Sequence, residues 1–220
     1  MKRIVVGIAL AVVVFCMAGE PAEAGEWRLG LAGGLNSSKL SGDVPSKTSY
    51  TSHKGLILGA VIDRRLTEDA WLSFQPRYQQ NGTKSEVSVE GSSDTTPGPE
   101  ILLDYIALPV LLRIYANNQK TYVLGGFNVG ILTRGDYVDT DGTTYDYKSF
   151  FRDVELSMDF GIGVMLPYKG TLINLELRYE QGMLNLAANN EDGEDSTLPT
   201  RLRQSGFEFL VGVQWSLGGE

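Results

Sequence analysis

Val154-Glu155-Leu156-Ser157-Met158-Asp159-Phe160-Gly161-Ile162-Gly163-Val164-Met165-Leu166 places an apolar residue at every second position, with Met165 the one apolar residue on the other set. Successive side chains of an extended chain point to opposite sides, so this stretch reads as a strand with one apolar face and one face of carboxylates, hydroxyls and glycines. The pattern recurs in Ile173, Leu175, Leu177 and Tyr179 against Asn174, Glu176, Arg178 and Glu180. It returns in Phe207, Phe209, Val211, Val213, Trp215 and Leu217 against Glu208, Gly212, Gln214 and Ser216. Trp27, Leu29, Leu31 and Leu35 define another strand, and Leu72, Phe74, Pro76 and Tyr78 a further one. Segments 55–65, 102–115 and 121–133 are apolar on both faces, a pattern that periodicity alone does not resolve.

Eight strands result, and the lengths of their connections alternate. Residues 66–70, 116–120 and 167–170 are tight turns, whereas 37–53, 84–100, 134–152 and 184–204 are long and polar. Short turns at one end and long loops at the other are the pattern of a membrane barrel. The expected fold is all-β, an eight-stranded antiparallel up-and-down transmembrane β-barrel with both termini on the short-turn, periplasmic side. Trp27, Trp71 and Trp215 then fall at that rim, where an aromatic girdle is expected.

A soluble eight-stranded barrel of lipocalin type carries the same periodicity with its faces exchanged. The polar face carries Arg28, Arg77, Arg113, Asp153, Glu155, Asp159, Glu176, Arg178, Glu180 and Glu208, together with glycines at 30, 34, 55, 59, 126, 130, 161, 163 and 212. Glycine weakens a solvated strand. Inside a narrow barrel it makes room for long side chains from the opposite wall, and the mixed charges there must pair. The set reads as a structural charge network filling the lumen; a narrow polar conduit or proton-sharing site is the sharper alternative.

The first 24 residues read as an address. Lys2 and Arg3 precede an apolar run from Ile4 to Ala18, and Ala22-Glu23-Ala24 offers small residues where a signal peptidase reads. Residues 1–24 are therefore expected to be cleaved, leaving 25–220 as one barrel domain. Cys16, the chain's one cysteine, leaves with the signal. The chain of 220 residues has a formal charge of -8, which argues against nucleic acid. One cysteine excludes an internal disulfide, and with a single histidine it argues against a Cys/His zinc site.

Several segments resemble the PorT-like outer-membrane β-barrel proteins, small barrels of the OmpA/OmpX type. They are Lys54-Gly55-Leu56-Ile57-Leu58-Gly59, Leu72 to Tyr78 with Asn81-Gly82, Asp104 to Leu112, Tyr122 to Gly126, and Arg178-Tyr179-Glu180-Gln181-Gly182-Met183-Leu184-Asn185. The resemblance covers nearly all of 25–220. It implies an outer-membrane barrel without a catalytic motif, with some members serving protein export or gliding.

The remaining candidates are local. His53, after Thr51-Ser52, would serve a lipid-modifying hydrolase only with a nucleophile beside it. Asp139, Asp141 and Gly142 echo a calcium loop that lacks both anchors, Tyr137 and Lys148 standing where acids are needed. Glu191, Asp192, Glu194 and Asp195 form an acidic group, and Arg134-Gly135-Asp136 is a triplet of low information. The long connections are acidic in sum, the stretch 84–100 contributing -3 and 184–204 contributing -2.

The expectation is a non-enzymatic, monomeric outer-membrane barrel of a Gram-negative bacterium, with no cofactor, embedded in outer-membrane lipid and lipopolysaccharide and meeting protein partners through its loops. A secreted lipocalin-like binder of an apolar ligand, a lipid-modifying enzyme and a small-conductance channel stand as alternatives.

Overall fold

A computed structural model describes residues 26–42, 48–88, 95–116, 119–188 and 201–217. The expected signal segment 1–24 and the acidic group at 191–195 lie outside these described residues. The strands are β1 (Trp27–Gly42), β2 (Thr48–Arg65), β3 (Ala70–Phe74), β4 (Arg77–Ser88), β5 (Thr95–Tyr115), β6 (Thr121–Val138), β7 (Thr144–Asp146), β8 (Val154–Tyr168), β9 (Thr171–Gly182) and β10 (Leu202–Leu217).

Each strand of the wall pairs antiparallel with its neighbours, and β1 pairs with β10 from Trp27↔Leu217 to Gly42↔Leu202, which closes the sheet on itself. The barrel has eight staves. β3 and β4 are two halves of one stave lying between β2 and β5. They part at Gln75-Pro76 because proline has no amide hydrogen for the ladder. Its carbonyl still accepts from the Ala60 amide at 3.0 Å, and the Gln75 amide donates to the Pro109 carbonyl at 3.0 Å. β7 folds back on the end of β6 and takes no part in the wall.

The alternation found in the sequence is the inside-outside alternation of this wall. Leu31, Leu58, Ile162 and Phe207 point outward and are 62%, 68%, 59% and 59% exposed. Asp63, Arg113 and Asp159 point inward and are fully buried. An apolar outer face running over every stave far exceeds the patches that water-soluble monomers tolerate, whereas lipid solvates it at no cost. Segments 55–65, 102–115 and 121–133 carry inward Ile57, Val61, Leu103, Leu111, Leu124 and Leu132 as well as outward apolar residues, hence their two apolar faces.

Three expectations need correction. Residues 37–42, 48–53, 84–88, 95–100 and 134–138, read as loop, are strand. Above the lipid the outer face turns polar, so the alternation fades while backbone pairing continues. Trp71 does not join a lipid-facing girdle: it is 2% exposed inside the barrel, with Arg28 lying 3.6 Å over its ring. It shares parity with the inward Ser73, so its neighbours already fix its face. Trp27 and Trp215 do stand on the outer face of adjacent staves at the rim where the tight turns lie. The third correction concerns Asp153, which precedes β8 and is only half-buried.

Candidate functional site

Apart from Asp153 and the rim residue Arg28, the predicted network residues are brought together inside the barrel. On the side of the tight turns, Arg113 bridges two carboxylates. It is ion-paired to Asp63 and donates from Nη2 to Glu176 Oε1 at 2.5 Å. Glu176 also accepts from Tyr122 Oη at 2.6 Å and from Arg178 Nε at 2.8 Å. Arg178 continues to Gln75 Oε1 at 2.6 Å, and Gln214 Nε2 donates to Asp63 at 3.0 Å. Seven residues from six staves are thus linked across the lumen.

A second group lies nearer the long loops. Arg77 makes a two-pronged bond to Glu208, Nη1 to Oε2 at 2.9 Å and Nη2 to Oε1 at 2.7 Å, with Asp159 3.7 Å away. Glu180 accepts from Gln79 at 2.8 Å, Ser157 at 2.7 Å and Asn128 at 3.1 Å. Glu155, 3% exposed, lies between this group and the loop end. The two-pronged Arg77–Glu208 pair and the hydrogen-bonded Glu180 are the form in which charges survive burial, whereas the Asp159 oxygens accept no hydrogen bond from the described residues.

An apolar cluster stands beyond the network at the loop end, and another packs around its tight-turn half, with Tyr122 belonging to both. Trp71, Leu111, Tyr115, Tyr122, Leu124 and Met165 pack at the tight-turn end. Leu40, Leu103, Tyr105, Leu132, Phe151, Leu186 and Leu202 pack at the loop end. Phe151 and Leu186 come from the connections themselves. The Arg152 amide donates to the Leu186 carbonyl at 2.9 Å and the Leu186 amide to that of Leu202 at 2.8 Å, drawing both connections over the barrel mouth.

The glycines make the room that the long side chains need. A Cβ on Gly59 would stand 2.5 Å from Arg77 Cβ, one on Gly161 3.0 Å from Arg178 Cγ, and one on Gly163 within the Tyr122 ring.

Sequence reasoning missed Asp63, the partner of Arg113, although its parity with Gly55 and Gly59 places it on the inner face. It also passed over Gln75, Gln79, Asn128 and Gln214, because uncharged amides give no signal until their neighbours are known.

The other candidates are dispersed. His53 is half-buried with Nδ1 3.8 Å from Glu100 Oε2, while Ser52 beside it is exposed on the opposite face. Asp139 and Asp141 accept backbone amides within their own turn, from Thr140 at 2.7 Å and from Thr143 at 2.7 Å, and the Thr143 amide holds the Asp141 carboxyl below its usual range. Arg134 is tied to Asp136 across the buried Gly135, inside β6. Among the described residues, no group of three or more His, Cys, Asp or Glu is placed to hold a metal.

A profile of the outer membrane protein beta-barrel domain matches residues 19–188. Among solved structures, the chain is similar to Neisserial surface protein A, with 14% identity, 84% of this chain and 96% of that one covered, and a TM-score of 0.49. It is similar to Ail of Yersinia pestis, with 14% identity, coverage of 88% and 100%, and a TM-score of 0.42. It is also similar to outer membrane protein W of E. coli, with 15% identity, the same coverage and a TM-score of 0.42. No curated protein matches the chain.

Proposed function

Because the chain belongs to the outer membrane protein β-barrel domain family, we propose that it is a non-enzymatic, non-conducting wall element of a Gram-negative outer membrane whose extracellular hairpins receive partners. The observation that carries this reading is the arrangement of the interior. A cross-linked set of charges spans the lumen, with one apolar cluster packed around its tight-turn half and another beyond it at the loop end. An ion crossing such an interior would have to break ion pairs and pass apolar side chains, each unfavourable by several kcal/mol on the order of the burial cost of a charge. The lumen is therefore a structural core, and the parts left to meet other molecules are the outer face and the loops. Lipid and lipopolysaccharide would contact the former, and protein partners the latter. The five PorT-like segments favour envelope-structural or secretion-associated work within this family.

The test is twofold. Heat-modifiable gel migration that requires detergent supports the membrane barrel, whereas a folded, detergent-independent monomer would favour the soluble ligand-binding alternative. Planar bilayers containing the folded protein are expected to show no current above baseline. Stepwise openings would replace this reading with that of a channel. For the enzyme alternative, hydrolysis of a lipid substrate that disappears in His53→Ala is the result required.

A further inference from the structure

On β1, β2 and β10 the outer face changes character within one row. Leu35 pairs with Leu56 on one side and Phe209 on the other, and Ser37 in the next row pairs with Lys54 and Phe207. Lys39 then pairs with Ser205, and Ser41 with Arg203. Lys39, Lys54 and Arg203 are all exposed. Their inward neighbours, Ser38, Leu40, Leu202 and Gln204, are buried, which fixes the direction of Lys39 and Arg203. One strand across and two residues along places Lys54 and Arg203 each about 8 Å from Lys39 between Cα atoms, close enough for the three side chains to reach one anionic group. Ser37, Ser41 and Ser205 add hydroxyls between them, and no Asp or Glu lies on this face of 33–41, 52–58 or 203–211.

The neighbouring staves β4, β5 and β6 are built differently at the same level. Lys84 is 2.9 Å from Glu100, Arg134 is ion-paired to Asp136, and Tyr78 donates to Asp104 at 2.8 Å. Cations there are neutralised by the chain itself. Three neighbouring cations with no carboxylate beside them among the described residues of this face repel one another unless an anion joins them.

We propose that Lys39, Lys54 and Arg203 form a clasp for the phosphate-bearing headgroup of an outer-leaflet lipid, whose acyl chains lie along Leu35, Leu56, Phe207 and Phe209. The clasp rests on the outer-membrane reading. A lipid is the occupant because the cations continue directly from the apolar band: one molecule can engage both, whereas a soluble polyanion would leave the exposed leucines and phenylalanines without a role.

The full chain, folded into mixed micelles of zwitterionic detergent and phosphorylated lipid A or its dephosphorylated form, would be released into native mass spectrometry to count retained lipid. Wild type and a Lys84→Gln/Arg134→Gln control are expected to retain the phosphorylated form. Lys39→Gln/Lys54→Gln/Arg203→Gln should bind it about a hundredfold more weakly, since each cation near a membrane surface contributes about a factor of five. Binding should also fall with salt. Equal retention of the dephosphorylated lipid, or full retention by the triple variant, would overturn the clasp. So would equally tight binding of soluble tripolyphosphate, or binding seen only after Glu191, Asp192, Glu194 and Asp195 are neutralised, because the chain's own loop would then be the occupant. A protein that folds without detergent would defeat the outer-membrane reading itself, whereas a detergent-folded barrel without phosphate preference defeats the clasp alone.

Discussion

Arg113 illustrates how much one side chain can organise. Fully buried, it joins Asp63 of one stave to Glu176 of another, with Tyr122 and Arg178 completing the shell around Glu176. Arg113→Met would leave two carboxylates facing each other in a dry interior. The expected loss is about 3–5 kcal/mol, read as a lower urea midpoint of the folded band in detergent micelles. Gly163→Ala acts on the same cluster from behind, displacing the Tyr122 ring, and should cost about 1–3 kcal/mol in the same titration. Glu176 and Arg178 were legible in the sequence because alternation assigns them a face and their charge demands a partner. Which charge meets which was not legible: Arg113 finds Asp63 across the sheet, a pairing set by register rather than by spacing along the chain.

At the scale of strands, β8 and β10 could be read outright, since lipid outside and charge inside impose strict alternation. β5 and β6 could not, because apolar residues of the two end clusters replace polar ones on their inner faces, and β2 could not because Ile57 and Val61 point inward. Pro76 hides the break between β3 and β4 by keeping the parity of the apolar set while removing a ladder hydrogen bond. The outer face tolerates no charge at mid-depth, so Leu58→Arg should destabilise the folded barrel by about 2–4 kcal/mol in a lipid-based unfolding titration, while Lys39→Gln near the outer edge should leave that midpoint almost unchanged. The tryptophans give a second test. Brominated lipid should quench Trp215, 46% exposed on the outer face, and leave Trp71 untouched inside the wall. Equal quenching of both would contradict the inward placement of Trp71.

The molecule as a whole is closed by its two most distant staves. β1 and β10 pair over sixteen positions, from Trp27↔Leu217 to Gly42↔Leu202. The wall has no free edge only when both are present. Removal of 202–217 should abolish the heat-modifiable form altogether, not merely lower its midpoint, because β1 and β9 would each expose an unpaired ladder to lipid. Closure was foreseeable from an even strand count. The extension of the staves beyond the bilayer was not, because pairing in water needs no apolar alternation.

That same pairing leaves Trp27 and Leu217 side by side at the rim of the tight turns. A short Gly-Ser bridge could join residue 27 to residue 217, and the chain could be reopened between 43 and 47 to give a circular permutant with every stave retained and both new ends at the end of the long connections. The order in which the staves leave the ribosome would then be rotated by one while the finished wall stayed the same, separating what synthesis order contributes to assembly from what the barrel itself requires.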